Sequence, residues 1–160
     1  MTAFAYIALG ANLGDPLTTV RAAITALQEM ADARFIAGSS LYRTAPIGLK
    51  HQPDFINAVV KLETGLAPAD LLTRLLAIEA AFGRVRSVKN APRTLDLDLL
   101  LCGEAVLDLP ELTLPHPRMA ERAFVLAPLA EIAPDLVIPG RGPLAALLPQ
   151  VADQRIERLS

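Results

Sequence analysis

The order of two hydrophobic periodicities is the feature that most constrains the fold of this chain. Two segments repeat apolar residues every three or four positions, as one face of a helix does, and four others are apolar runs or alternate with polar residues, as strands do. The helical stripes are Leu17, Val20, Ile24, Leu27 and Met30, then Leu71, Leu75, Ile78 and Phe82. The strand-like runs are Ala3 to Leu9, Phe35 to Tyr42, Phe55 to Glu63 and Leu95 to Leu101. Their order, β-α-β-β-α-β, predicts an α+β fold with a ferredoxin-like core, in which helices pack against one antiparallel sheet.

Weaker patterns after the fourth strand predict additions to this core. Cys102-Gly103-Glu104 is typical of a hairpin turn that leads into a strand at Ala105 to Leu107. Residues 118–133 have helical character, and Pro128 predicts a break within them. The expected architecture is an α/β/α sandwich with C-terminal additions.

The last residues complete the predicted domain. Gly142-Pro143 precede a short helix that we expect to end at Leu148, and the chain from Asp153 onward is predicted to be loose. No repeat, low-complexity tract or linker interrupts the pattern. Residues 1–160 are therefore predicted to form one domain.

Composition excludes several classes of protein. A hydrophobic fraction of 52% and a charged fraction of 20% are typical of a globular chain rather than a disordered one. The net charge of −2 creates no field that would attract nucleic acid or an anionic membrane. No apolar run approaches the ~20 residues needed to cross a bilayer, the first residues lack the pattern of a signal peptide, and a single cysteine, Cys102, excludes an internal disulfide. We expect a cytoplasmic protein that is monomeric and binds neither nucleic acid nor membranes.

Asp96 and Asp98 are the strongest candidates for a functional site. They alternate with leucines in a strand-like run, so both carboxylates are predicted to lie on one face, with their Cα atoms about 6.6 Å apart. Like charges this close repel each other unless a cation lies between them or burial neutralises one. Mg²⁺ typically binds one or two carboxylates together with substrate phosphates. An acidic, solvated strand face whose charge is balanced by nearby arginines is the alternative.

A basic segment comes directly before these aspartates. Arg84, Arg86, Lys89 and Arg93 are four cations in a chain whose net charge is negative. Such a segment is often only a solvated loop, and the end of a helix also favours basic residues. Arginine, however, binds phosphate with two parallel hydrogen bonds. Beside paired carboxylates, the segment favours a site for a metal-bound polyphosphate such as a nucleotide.

Four other motifs are weaker candidates on their own. Thr44 to Pro53 is a loop whose prolines and glycine preset a shape in which backbone groups can bind a ligand. Asn57 shares a strand face with Phe55, and its amide offers the donors and the acceptor that suit the edge of a heterocycle. Leu114 to Met119 carries a histidine between two prolines, although a single histidine is more often structural. Gly10 to Gly14 lacks the spacing of known phosphate loops and predicts a plain turn.

Taken together, these motifs resemble a known family. Lys89-x-Ala91-Pro92-Arg93-x-x-Asp96-Leu97-Asp98-Leu99-Leu100 is similar to the signature of the 6-hydroxymethyl-7,8-dihydropterin pyrophosphokinases of folate biosynthesis. Other segments match this family in order and spacing over most of the chain; they are Gly10 to Gly14, Ser40 to Thr44, Gln52 to Asn57, Gly83 to Arg86 and Leu114 to Met119. The core of this family is the ferredoxin-like sandwich that the periodicity also predicts.

The resemblance implies an enzyme that transfers pyrophosphate from ATP to the hydroxymethyl oxygen of the pterin and releases AMP. It implies two Mg²⁺ ions held by Asp96 and Asp98, and catalytic roles for these residues and for Arg84 and Arg93. The residues implied to bind ATP are Arg84, Arg86, Arg93, Thr113, His116 and Arg122. Those implied to bind the pterin are Thr44, Ala45, Ile47, Phe55, Asn57 and Phe124. The three arginines before the aspartates are implied to lie on or beside a mobile loop that closes over the nucleotide.

The chain departs from the pattern of this family at three positions. It contains no tryptophan, and Asn90 stands about where members often carry one. Phe55 replaces a tyrosine of some relatives, and Pro117 replaces an aromatic residue. The alternative function is a non-catalytic ferredoxin-like module that binds a nucleotide or RNA. An aromatic fraction of 4% and a negative net charge count against RNA binding.

Overall fold

A sheet of six strands forms the centre of the computed structural model, which describes residues 2–45, 53–83 and 95–159. In chain order the strands are β1 (Ala3–Ala11), β2 (Ala33–Gly38), β3 (Tyr42–Thr44), β4 (Phe55–Thr64), β5 (Asp96–Cys102), β6 (Leu107–Asp108), β7 (Thr113–Leu114), β8 (Val137–Ile138), β9 (Gly142–Pro143) and β10 (Glu157–Arg158). The helices are α1 (Pro16–Gln28), α2 (Pro68–Ala81), α3 (Ala123–Ile132) and α4 (Leu144–Leu147), with 3₁₀ turns at Met119–Glu121 and Leu148–Val151. The predicted combination of helices with an antiparallel sheet is confirmed.

The main sheet has the strand order β10-β3-β4-β1-β5, and β2 also pairs with β4. All of these pairs are antiparallel. Because β1 lies between β4 and β5, its residues from Ala5 to Gly10 have partners on both sides. At one level of the sheet, the direct partners across four strands are Tyr42 of β3, Asn57 of β4, Gly10 of β1 and Asp96 of β5.

The two faces of the main sheet are covered by different helices. On the first, called here the α1/α2 face, the helices α1 and α2 pack against a cluster that includes Ile7, Leu9, Val20, Leu27, Val60, Leu71, Leu75, Leu97 and Leu99. On the second, the α3 face, α3 and α4 pack against a cluster that includes Tyr6, Val59, Leu100, Leu126, Leu129 and Leu144. Burial of each large apolar side chain stabilises the fold by about 1.5–3 kcal/mol relative to exposure. Because successive side chains of a strand point to opposite faces, the strands bury apolar residues against the helices on both faces.

Capping by an aspartate determines where α1 begins. The carboxylate of Asp15 accepts hydrogen bonds from Thr18 N at 3.3 Å and Thr18 Oγ1 at 2.7 Å, and Pro16 occupies the first turn. These hydrogen bonds lower the pKa of Asp15. The helix therefore begins where the sequence predicts.

The second strand is divided, which corrects the prediction of one strand from Phe35 to Tyr42. Ser39 and Ser40 separate β2 from β3. The Ser39 hydroxyl accepts a hydrogen bond from Val59 N at 2.9 Å, and the Glu131 carboxylate accepts one from Ser40 N at 3.0 Å. Because these side chains take backbone N–H groups that a continuous ladder would use, the strand is interrupted here.

Helix α3 continues through Pro128 without the predicted break. Proline removes one helical hydrogen bond, but Val125, Leu126 and Leu129 around it are buried in the cluster of the α3 face. Their packing against the sheet favours a continuous helix. None of the helices in the described part of the chain has the length and apolar character that a bilayer crossing requires.

The end of the chain is paired, so the prediction of a loose end was wrong. Strand β10 pairs with β3, and Leu159 N donates to Leu41 O at 2.8 Å. Arg158 also forms an ion pair with Glu131 of α3 at 3.5 Å. The turn at Gly103 forms as predicted, but β6 beyond it pairs with β7 instead of returning along β5. Such short pairings have too few residues to show a hydrophobic period.

Candidate active site

Polar side chains lie together on the α3 face, at the level of the sheet near the end of β1. Gly10 is the direct partner of Asn57 on one side and of Asp96 on the other. Directly opposed residues of antiparallel strands project to the same face. Val59 and Leu100, which share faces with these residues by alternation, are buried against α3 and α4. The side chains of Asn57 and Asp96 therefore both project to the α3 face, two strand spacings or about 10 Å apart.

Asp96 and Asp98 lie on one side of β5, as their spacing predicts. Both are half-buried, whereas Leu97 and Leu99 are buried on the α1/α2 face. In the described ranges, no group of three or more histidine, cysteine, aspartate or glutamate side chains is placed to hold a metal ion. A pair of carboxylates on one strand face is a ligand set that suits an ion whose remaining ligands are water or the oxygens of a bound substrate.

Glu79 of α2 binds the backbone of β5. The sequence motifs did not include this residue. Its carboxylate accepts a hydrogen bond from Leu97 N at 2.7 Å, and the residue is 1% exposed. Leu97 lies between the two aspartates, so Glu79 helps to fix the backbone that carries them. The sequence does contain a signal, because Glu79 follows Leu75 by four positions and so shares the buried face of α2.

His116 lies in a turn that is attached to β5. Its backbone N donates to Leu100 O at 2.9 Å, and its ring Nδ1 accepts a hydrogen bond from Arg118 N at 3.2 Å. A neutral ring that accepts at Nδ1 carries its hydrogen at Nε2. The ring of His116 thus offers an N–H donor of the kind that binds a phosphate oxygen.

Positive charge surrounds this histidine. Burial lowers the pKa of His116 from its ordinary value of 6.5, and nearby guanidinium groups lower it further; they belong to Arg122, Arg118 and Arg141. The carboxylate of Asp96 acts in the opposite direction, which links this cationic group to the carboxylate pair. The combination of a neutral histidine with several arginines favours an anionic ligand beside β5.

Arg122 and Arg141 are each held by a contact of their own. The guanidinium of Arg122 lies 5.4 Å from the ring centre of Phe124, in the first turn of α3. Arg141 donates from its terminal nitrogen to Pro117 O at 3.2 Å. Sequence analysis missed Arg141, because it lies between β8 and β9, far along the chain from every motif. Only the tertiary fold brings it to His116.

Asn57, Gly10 and Asp96 form a row of direct partners across the sheet, and Asn57 lies at the end opposite Asp96, together with Thr44. Asn57 is 5% exposed, and its Nδ2 donates to Thr44 Oγ1 at 2.8 Å. Phe55 is half-buried and is the direct partner of Thr44, and Ala45 follows as an exposed residue. Asn12, after β1, donates from Nδ2 to Pro53 O at 3.4 Å. The ring of Phe55 and the amide of Asn57 are therefore placed on the α3 face, which is also the side of Phe124.

The structure does not place several of the predicted residues in this site. Ile47, Arg84, Arg86 and Arg93 lie outside the described residues, as does the closing loop implied by the resemblance. Thr113 is half-buried on β7, which pairs with β6 rather than with a strand of the main sheet. Its proposed place near the adenine stays a prediction.

Comparisons with known proteins identify similar sequences and a similar fold. The sequence model of the HPPK family, described as 7,8-dihydro-6-hydroxymethylpterin-pyrophosphokinase, matches residues 6–134. A Pseudomonas aeruginosa protein named 2-amino-4-hydroxy-6-hydroxymethyldihydropteridine pyrophosphokinase is 50% identical over 154 residues, which cover 96% of this chain and 95% of that protein. A Haemophilus influenzae protein of the same name is 44% identical over 156 residues, which cover 98% of each.

A solved structure is similar in fold. The crystal structure of wild-type Plasmodium falciparum HPPK-DHPS with pteroate aligns with a TM-score of 0.75 at 14% sequence identity, covering 94% of this chain and 42% of that chain. Identity this low supports the fold alone. The family match and the two bacterial relatives support more, because they cover most of the sequence. The chain therefore belongs to the 7,8-dihydro-6-hydroxymethylpterin-pyrophosphokinase family.

Proposed function

We propose that this chain transfers the pyrophosphoryl group of ATP to the hydroxymethyl oxygen of 6-hydroxymethyl-7,8-dihydropterin, with both substrates on the α3 face. The family is named for this activity, and so are relatives whose length the chain matches almost completely. The chain is accordingly a pyrophosphokinase, a transferase of folate biosynthesis, and the non-catalytic alternative is not favoured. In the reaction, the alcohol oxygen gives up its proton to solvent and bonds to the β-phosphorus. The bond from that phosphorus to the bridging oxygen of the α-phosphate breaks, and AMP leaves with that oxygen.

The row of Asn57, Gly10 and Asp96 is the observation that carries this proposal. One end of the row offers a buried amide that suits a heterocycle, and the other offers carboxylates beside a cationic group. The two ends are separated by about 10 Å, or two strand spacings. A flat bicyclic pterin at the first end can therefore direct its hydroxymethyl group toward phosphates at the second.

Asp96 and Asp98 suit Mg²⁺, and we expect them to hold two ions. Both side chains offer only oxygen atoms as metal ligands, and both lie half-buried on one face of β5. A pair of carboxylates, rather than a complete cage, is the protein contribution that Mg²⁺ uses when substrate phosphates supply further ligands. When bound, the ion neutralises charge on the phosphates and helps to orient them.

The residues beside β5 are proposed to bind the phosphates. His116 donates from Nε2, and Arg122 provides a charged fork whose orientation is held by the Phe124 ring. Arg84, Arg86 and Arg93 are assigned to the same phosphates from their sequence motif, and Thr113 to the region of the adenine. Preset donors of this kind stabilise the charge that develops during transfer without reorganising.

The pterin is proposed to bind at the opposite end of the row. The Asn57 amide binds the edge of the ring system, and its own orientation is fixed by Thr44. The rings of Phe55 and Phe124 stack against the two faces of the heterocycle. Backbone groups of Thr44, Ala45 and Ile47 supply further hydrogen bonds.

The test is product analysis after the chain is mixed with ATP, Mg²⁺ and 6-hydroxymethyl-7,8-dihydropterin. We expect AMP and the pterin diphosphate in equal amounts, and no AMP when the metal is chelated. Release of ADP, or consumption of ATP that does not depend on the pterin, would contradict the proposal.

We further propose that the core of the molecule is ferredoxin-like. The strand order supports this fold. The strands β1 and β2, which flank α1, both pair with β4, and the strands β4 and β5, which flank α2, both pair with β1. This is the split arrangement of the ferredoxin-like fold. Pairing of β10 with β3 supports one domain over residues 1–160, since it joins the last described residues to the main sheet. We also propose that the protein is a cytoplasmic monomer that binds neither nucleic acid nor membranes, which gel filtration and fractionation test directly.

A further inference from the structure

We propose that Gly10 is a positioning residue for the pterin, because the lack of a side chain there leaves room for the Asn57 carboxamide to lie across β1. The inference rests on the proposed function, in which Asn57 binds the heterocycle. Gly10 is an interior residue of β1 and does not adopt the left-handed backbone conformation. Its missing Cβ, rather than its conformational freedom, is therefore the property that matters.

A side chain at Gly10 would meet Asn57 directly. An ideal Cβ on Gly10 would lie 3.1 Å from Asn57 Oδ1 and 4.0 Å from Ile56 O. The first distance is tighter than ordinary van der Waals contact between carbon and oxygen, so one of the two groups has to shift by a few tenths of an ångström. Gly10 is held on both sides by β4 and β5, which leaves the Asn57 side chain as the group that must shift.

The Asn57 side chain has little room in which to shift. It is 5% exposed, and its Nδ2 already donates to Thr44 Oγ1 at 2.8 Å. Thr44 is itself only 8% exposed. The carboxamide thus extends from β3 to β1, with Nδ2 toward Thr44 and Oδ1 toward Gly10. Displacement away from Gly10 would compress the bond to Thr44 or rotate the amide out of its present plane.

The disturbance should be confined to the pterin end of the row. Asp96 is also a direct partner of Gly10, yet in the described ranges only the Asn57 and Ile56 atoms lie within 4 Å of the added Cβ. A methyl group at Gly10 would therefore alter the amide and leave the carboxylate where it is. A role in positioning the pterin predicts a selective loss of pterin affinity, whereas a purely structural role predicts a loss of stability without that selectivity.

Gly10→Ala tests the proposal through the steady-state kinetics of AMP release. We expect the KM for the pterin to rise about ten-fold, the effect of losing one well-placed hydrogen bond. The KM for ATP and the Mg²⁺ concentration for half-maximal rate should not change. Gly38→Ala is the matched control: its Cβ would also lie 3.1 Å from a side-chain atom, Phe35 Cζ, on β2 of the same sheet. This control should leave the KM for the pterin unchanged.

An Asn57→Ala background separates the contact from other effects. In that background Gly10→Ala should cause no further rise in the KM for the pterin, because the group that it displaces is gone. If Gly10→Ala is folded but too unstable for kinetics, the double variant should melt at a higher temperature than the single one, for the same reason. An unchanged KM, an equal rise in Gly38→Ala, or additive effects in the Asn57→Ala background would overturn the proposal. Where Gly10→Ala is too unstable for kinetics, a double variant no more stable than the single one would do so. Absence of AMP release by the unmodified chain would instead overturn the proposed function, and this inference with it.

Discussion

The two faces of the main sheet are formed by the same strands but differ in chemistry. On the α1/α2 face, β1, β4 and β5 present mainly apolar side chains to two long helices, and these side chains form a buried apolar cluster. On the α3 face, the same strands carry Asn57, Asp96 and Asp98 beside an apolar cluster that α3 and α4 cover. One face of the sheet therefore provides stability, while part of the other is kept for polar groups. Substitutions on the two faces should therefore give opposite results.

Asp98→Asn should have the largest effect on activity. Loss of one carboxylate weakens the proposed metal site and the charge stabilisation that depends on it, so we expect turnover to fall about 10³-fold. The melting temperature should change far less than turnover does, because asparagine has the size and shape of the half-buried aspartate that it replaces. AMP release and thermal unfolding measure the two quantities. Asp108→Asn, at an exposed aspartate of β6, is the control; near-normal turnover in Asp98→Asn would refute the metal assignment.

Leu75→Ala should give the reverse pattern on the α1/α2 face. Leu75 is fully buried between α2 and the sheet, and truncation of such a leucine lowers the free energy of unfolding by about 2–5 kcal/mol. The kcat/KM measured well below the melting temperature should stay close to that of the unmodified chain. Denaturant titration provides the stability, with Leu76→Ala as the control because Leu76 is 40% exposed. A large fall in kcat/KM of the folded variant would show that the two faces are coupled.

The hydrophobic periodicity of the sequence predicts the α1/α2 face almost completely and the α3 face only in part. The stripes of α1 and α2 and the alternation of β5 are repeated patterns, and the structure follows them. The division between β2 and β3 depends on hydrogen bonds of Ser39 and Ser40 to distant residues, which no local pattern reveals. Gly10 was interpreted as part of a plain turn, yet it lies inside β1 between two site residues. Arg141 reaches His116 only through tertiary structure, so its role could not be seen in the sequence.

Glu79→Met tests a hydrogen bond through which the α1/α2 face contacts the strand that carries the two aspartates. The glutamate belongs to the α1/α2 face, but its carboxylate binds the backbone N–H between the two aspartates. An apolar residue leaves the Leu97 N–H buried without this acceptor, which costs about 1–3 kcal/mol of stability. Because this bond helps to hold β5, we also expect the Mg²⁺ concentration for half-maximal rate to rise about ten-fold. Glu79→Gln keeps an acceptor and is the control. An unchanged Mg²⁺ requirement in Glu79→Met would restrict this glutamate to a structural role.

The titration of His116 should give the smallest effect and the most local one. Its pKa in the folded chain lies below 6.5, first because of burial and then because of the surrounding arginines. The unfolded chain therefore takes up a proton at a higher pH than the folded chain does. The stability that this histidine contributes is fully present above about pH 6.5 and is lost as the pH falls toward its lowered folded value. The chain has 2 histidines, so His116→Gln assigns the ring signals in an NMR titration and should remove this part of the pH dependence of stability.

Addition of Mg²⁺ and ATP should raise the pKa of His116, because phosphate oxygens near Nε2 favour the charged ring. A pKa that stays unchanged with nucleotide would place the phosphates away from this side of β5.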